Sequence, residues 1–187
     1  MPLSTPRPIG WSRANIALHW ISFLLVLGLA LLGLWMTTLP PSLDKIQWYA
    51  LHKSLGLTVL ALTLLRLAWL AFGARPAAIP APRWARALAR LVHALLYLLL
   101  LAVPLSGWWF NSTTGFALRW FGVLPVPALG GADAALRPLA KAVHEWLFYL
   151  LAALVLVHAL AALWHHYKLR DDTLSRMLRW SDPKDRR

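Results

Sequence analysis

The stretch His144–His166, HEWLFYLLAALVLVHALAALWHH, is apolar enough to cross a bilayer, yet it holds four of the chain's seven histidines. An ionisable or metal-binding side chain at membrane depth is costly, so it marks a functional position that needs a partner. His144 and His158 are fourteen residues apart, roughly 21 Å along a helix axis, and fourteen steps of about 100° return to within roughly 40° of the starting direction. Both imidazoles therefore point to one face of one helix, at two depths.

Composition places the rest of the chain in the same setting. Of its 187 residues 59% are hydrophobic and 14% charged, and the mean hydropathy is +0.57, well away from a soluble globular domain. The chain reads as one integral membrane domain over residues 1–187. Cysteine is absent, which removes disulfides, thiolate ligands, iron–sulfur clusters and covalent CxxCH haem attachment. A net charge of +12 invites a nucleic-acid reading, but the basic residues punctuate apolar spans and form no basic face with interleaved aromatics.

Four segments are long and apolar enough to span a hydrocarbon core of roughly 30 Å, at about 14–38, 50–72, 88–110 and 143–167. This predicts an all-α membrane protein, a four-helix transmembrane bundle. Arg7 and Arg13 ahead of the first span resemble a secretory n-region, but the run from Ile16 to Met36 is too long for an h-region and no small-residue cleavage site follows, so it is expected to be retained. Pro40-Pro41 ends the first helix, and a proline-rich turn, GARPAAIPAPRWAR, follows the second. Pro104 should kink the third. The connection from Asn111 to Ala142 is long enough to expect function or structure in it, with a short surface helix over Asp133 to Lys141. A polar tail, 168–187, should lie on the membrane surface.

Fourteen of the nineteen Lys and Arg residues fall on the side shared by the two chain ends and the second connection, and five (Lys45, Lys53, Arg119, Arg137, Lys141) on the other. By the positive-inside rule both termini are cytoplasmic. Tryptophans form two belts that agree, Trp20, Trp69 and Trp164 at one interface and Trp35, Trp48, Trp108, Trp109 and Trp146 at the other.

Topology sorts the histidines. His19 and His158 share the cytoplasmic level, and His52 and His144 share the outer one. Two pairs at two depths in a four-helix bundle suit two non-covalent b-type haems, each iron held by two imidazoles on facing helices. Zinc is the chemical rival, but neither level gathers the third and fourth ligands of a closed tetrahedral site. A haem-free membrane protein with a histidine proton relay is a further alternative. Gly28, Gly33, Gly56 and Gly107 could make room for a macrocycle, or serve ordinary small-residue helix packing.

The segments ALHW (His19), LHKSLG (His52), HEWLFYLLAALVLVH (His144, His158) and HHYKLRDDTLSRML resemble the bacterial cytochrome b561 family over nearly the whole chain. The resemblance implies a di-haem protein of the bacterial inner membrane, ligated by helices one and four at one level and two and four at the other. It also implies superoxide oxidase activity, a superoxide:ubiquinone oxidoreductase that passes electrons from superoxide, or another periplasmic donor, to ubiquinone. Related cytochromes are the quinone-reactive anchor subunits of hydrogenases and formate dehydrogenases. Two axial imidazoles leave no open position on a haem iron, so electron transfer is the natural task.

Other residues carry a functional and a plain reading. His93 could contact a haem propionate or a quinone, or simply pack. His165 and His166 could donate protons to a quinone or complement the helix C-terminus. Arg66 and Arg90 could pair with propionates or snorkel to headgroups. Lys53, Arg119, Arg137 and Lys141 could steer a superoxide anion, or be interfacial cations. Lipid and a quinone are the expected partners, with superoxide or an electron-donor protein as the source and no nucleic acid.

Overall fold

The computed structural model describes residues 10–72 and 79–178. Arg7, Arg75 and the tail beyond Leu178 lie outside the described residues. Four long helices, α1 (Arg13–Thr38), α2 (Leu43–Phe72), α3 (Arg83–Thr114) and α4 (Arg137–Trp164), are each long and apolar enough to cross a membrane. Two short strands, β1 (Leu118–Trp120) and β2 (Leu124–Val126), lie between α3 and α4. After α4 come one π-helical turn over His165–Leu169 and a short helix α5 (Ser175–Leu178).

The helices begin earlier than the apolar spans suggest, and at α1 and α2 serine caps and not hydropathy set the start. Ser12 caps α1, its side chain accepting from the Asn15 N–H at 3.3 Å. Ser42 does the same for α2, accepting from the Lys45 N–H at 3.1 Å, so α2 starts at Leu43 and not near Ala50. Pro82 precedes α3, which starts five residues before the apolar run and ends on Gly115, whose φ of 77° is the left-handed conformation of a helix C-cap. The expected surface helix over Asp133 to Lys141 is instead the entry to α4. The Asp133 carboxylate accepts from the Ala135 and Leu136 N–H groups, and residues from Arg137 onward are continuous with α4. Helix α3 runs through Pro104 without ending.

The strands pair antiparallel, with Trp120 opposite Leu124, and a tight turn places Phe121 at φ 49° and Gly122 at φ 74°. Three residues, Phe121 to Val123, join the paired Trp120 and Leu124, and the Val123 N–H closes the turn on the Trp120 carbonyl at 3.1 Å. Ser54 and Thr58 of α2 hold it, accepting from the Phe121 N–H at 2.9 Å and the Trp120 indole N–H at 3.1 Å. At the other end of the bundle the Trp20 indole donates to the Met177 carbonyl at 2.8 Å, tying α5 to α1.

Close packing joins α1 with α2, α2 with α3, and α3 with α4, whereas neither α1 nor α2 packs along α4. Buried positions are few and mostly small and polar, among them Ser22, Ser54, Thr63 and Ser106. Such residues let membrane helices approach and supply hydrogen bonds, as Thr63 does to the Val59 carbonyl at 2.7 Å. Only 6–17% of each apolar window is buried, so most of the hydrophobic surface faces lipid or the space between α4 and the α1–α2 pair. That space contains the histidines.

Two histidine pairs as the candidate functional site

His52 on α2 and His144 on α4 face each other with ring centres 6.4 Å apart and planes at 90°. At the end of the bundle nearer the chain termini, His19 on α1 and His158 on α4 face each other at the same 6.4 Å, with planes at 74°. Helix α4 contributes to both pairs, and each pair spans a gap that helix packing leaves open. Among the described residues no three His, Cys, Asp or Glu side chains form a cluster able to hold a metal ion, which leaves a closed tetrahedral centre without its ligands.

The far pair, His52 and His144, is backed by glycines. A Cβ on Gly33 of α1 would come within 3.1 Å of His52 Cε1, and one on Gly107 of α3 within 2.9 Å of His144 Cε1. Any side chain at either position would push a ring toward its partner. Gly28 and Gly56 differ, for a Cβ there would meet nothing within 4 Å. These two border open space and do not serve close helix packing.

Hydrogen bonding is uneven. His144 Nδ1 lies 3.0 Å from both the Val103 carbonyl and Ser106 Oγ, and the Ser106 hydroxyl itself donates to that carbonyl at 2.7 Å. His19 Nδ1 and His52 Nδ1 are buried with no protein partner.

Around the near pair, His93 of α3 stacks edge-on against His158 with ring centres 5.4 Å apart. Arg66 of α2 lies over the Tyr97 ring of α3, its Cζ 5.6 Å from the ring centre, and its Nε is buried without a partner. Arg90 is exposed on α3.

Below this level, His165 opens the π turn. Its Nδ1 is 2.6 Å from the Asp171 carboxylate and 3.4 Å from the Thr173 hydroxyl, and the Thr173 N–H donates to the other Asp171 oxygen at 2.9 Å. Burial acts to raise the Asp171 carboxyl, but the bonds from Thr173 and His165 outweigh it and hold it below its ordinary value. Arg170 closes the turn at φ 53°, and its N–H bonds back to the His165 carbonyl. His166 is exposed and stacks on Tyr167. Asp171 and Thr173 escaped the sequence reading because only a π turn brings position 171 onto residue 165.

At the opposite end, Lys53 donates to the Asn111 side-chain oxygen at 3.1 Å, and Lys141 pairs with Glu145 one turn on. Arg119, on β1, and Arg137, at the start of α4, are exposed.

The donor set fits haem. A metal between two imidazoles, with bonds of about 2 Å to each ring nitrogen, sets their ring centres about 6 Å apart, and both pairs stand at that separation. Two glycines face open space, and beside the near pair the Nε of Arg66, buried without a protein partner, suits an anionic group such as a propionate.

Comparison with known proteins points the same way. The family model for prokaryotic cytochrome b561 matches residues 10–180. Cytochrome b561 homolog 2 of Escherichia coli K12 is 36% identical over 93% of this chain and 94% of its own length. The probable superoxide oxidase CybB of Yersinia pestis is 31% identical over 90% of this chain and 95% of its own, and cytochrome b561 homolog 1 of E. coli K12 is 31% identical over 90% and 96%. The chain is a member of the prokaryotic cytochrome b561 family, a multi-pass bacterial membrane protein that binds b-type haem and transfers electrons.

Proposed function

We propose that the chain is a di-haem electron carrier of the inner membrane that oxidises superoxide on the periplasmic side and reduces a membrane quinone, with both termini in the cytoplasm. The far pair, His52 and His144, would hold the outer haem, and the near pair, His19 and His158, the inner one. The observation that carries this reading is the pair of equal 6.4 Å histidine separations, both built on α4. The likeness to a probable superoxide oxidase supports the choice of donor. Bound haem supplies one-electron redox chemistry without an open coordination site. Two superoxide anions would release two electrons as two molecules of oxygen, and one quinone would take both electrons with two protons to become the quinol.

The chain's own residues have distinct tasks in this scheme. Arg66, whose Nε is buried without a protein partner, would neutralise a propionate at the inner level, and His93 braces the His158 ring. Lys141 is paired with the Glu145 carboxylate, whereas Lys53 bonds only to the neutral Asn111 amide and keeps its charge, so attraction of a diffusing anion falls to Lys53, Arg119 and Arg137. His165 is the proton donor at the cytoplasmic side. With Asp171 accepting from Nδ1–H, a protonated ring can release the proton on Nε2 to a quinone oxygen and regain one from water at its exposed edge.

The purified protein should be coloured, and pyridine haemochrome analysis should return two haems per chain. A colourless preparation would sink this reading in favour of a histidine proton relay. Reduction by a superoxide-generating system should slow as ionic strength rises, and Arg119→Glu with Arg137→Glu should slow it by about tenfold at low salt. Rates indifferent to both salt and these changes would remove the steering role.

A further inference from the structure

The two imidazoles of the far pair do not stand in equivalent surroundings. Next to His144 Nδ1 are a carbonyl, which can only accept, and the Ser106 oxygen, whose proton is already directed to that same carbonyl. Both neighbours are therefore acceptors, and the proton of a neutral His144 must be on Nδ1. Its Nε2 then carries the lone pair. His52 has no such constraint, because its Nδ1 meets no protein acceptor. Gly107 completes the arrangement, its missing Cβ letting the His144 ring lie flat enough against α3 to reach a carbonyl only four positions upstream.

An imidazole whose outer N–H is bonded to an acceptor is a more basic ligand, and a more basic ligand stabilises the oxidised metal. We propose that Ser106 and the Val103 carbonyl are positioning groups for His144, fixing its tautomer and lowering the reduction potential of the haem it shares with His52. The direction favours passing an electron onward to the near pair over retaining it. The inference rests on the proposed haem assignment, and the test separates the two.

The experiment is a spectroelectrochemical titration of the intact protein in detergent or nanodiscs. His52→Ala first identifies the far haem as the one lost; if both haems survive that change, the pairing itself is wrong. In Ser106→Ala the midpoint potential of the far haem should rise while that of the near haem stays put, the unmoved near haem serving as the control for folding. Ser106→Cys, which keeps the volume with a poorer acceptor, should shift the far haem in the same direction, and Ser106→Thr should restore the original value. A far-haem potential that is unchanged or falls in both Ala and Cys variants, with the pairing intact, overturns the positioning role.

Discussion

Replacing His52 or His144 by alanine will leave one haem per chain, and so will replacing His19 or His158, but the survivor will differ between the two sets. The expectation comes from the separation of the pairs: each ring faces its own partner at 6.4 Å, and fourteen residues of α4 keep the two levels apart. On the proposed assignment, an imidazole reduced to a methyl group would deprive its haem of one of the two rings that hold it. Content measured by pyridine haemochrome should fall by about half, and low-temperature spectra should lose one α-band component. The same component should vanish in His52→Ala and His144→Ala, and the other in His19→Ala and His158→Ala. Crossed losses would show that the rings pair differently. His93→Ala should keep both haems, because its ring lies 5.4 Å from His158, too close for a metal to stand between them.

The second large effect is expected at the π turn. His165→Gln and Asp171→Asn should each lower the rate of quinone reduction by about 10²-fold, the scale of a lost general acid. Reduction of the haems by superoxide should be unaffected, since the turn is remote from Arg119 and Arg137. Stopped-flow measurements that record haem reduction and quinol formation separately would show the split. Asp171 also gives a pH signature. Its folded-state pKa lies below the ordinary value, so its contribution to the turn is complete above the unfolded carboxyl range near pH 4 and fades as pH falls through the lower folded value. Quinone reduction should therefore be steady across neutral pH as far as Asp171 is concerned, and should fall only at acid pH as the carboxylate is protonated. Equal slowing of both half-reactions would mean that the turn is structural only.

Much of this architecture is legible without coordinates because the bilayer is a severe solvent. Apolar length alone finds four spans, and histidine at membrane depth is costly enough that four of them, sorted by depth, name their partners. Local pairing is less visible. The start of α2 depends on a Ser42 cap that hydropathy does not weigh, and the entry to α4 depends on the Asp133 carboxylate reaching two backbone N–H groups. The β1–β2 hairpin is anchored by Ser54 and Thr58, more than sixty residues away. Gly33 and Gly107 stand out as glycines, but that they back the two rings of one pair is a matter of helix rotation, which composition does not carry. Ser106 is one small residue among many until its oxygen is found beside His144.

Helix α4 also constrains how such a chain can vary in length. Because it supplies a ring to each pair, the 144–158 interval is a ruler as well as a scaffold. Insertion or deletion of a single residue within it would turn His158 by about 100° relative to His144 and move it by about 1.5 Å. One ring would then leave the shared face, and no adjustment in the connections could return it. The loops can lengthen, and the tail can vary, but these thirteen intervening positions can change only by substitution.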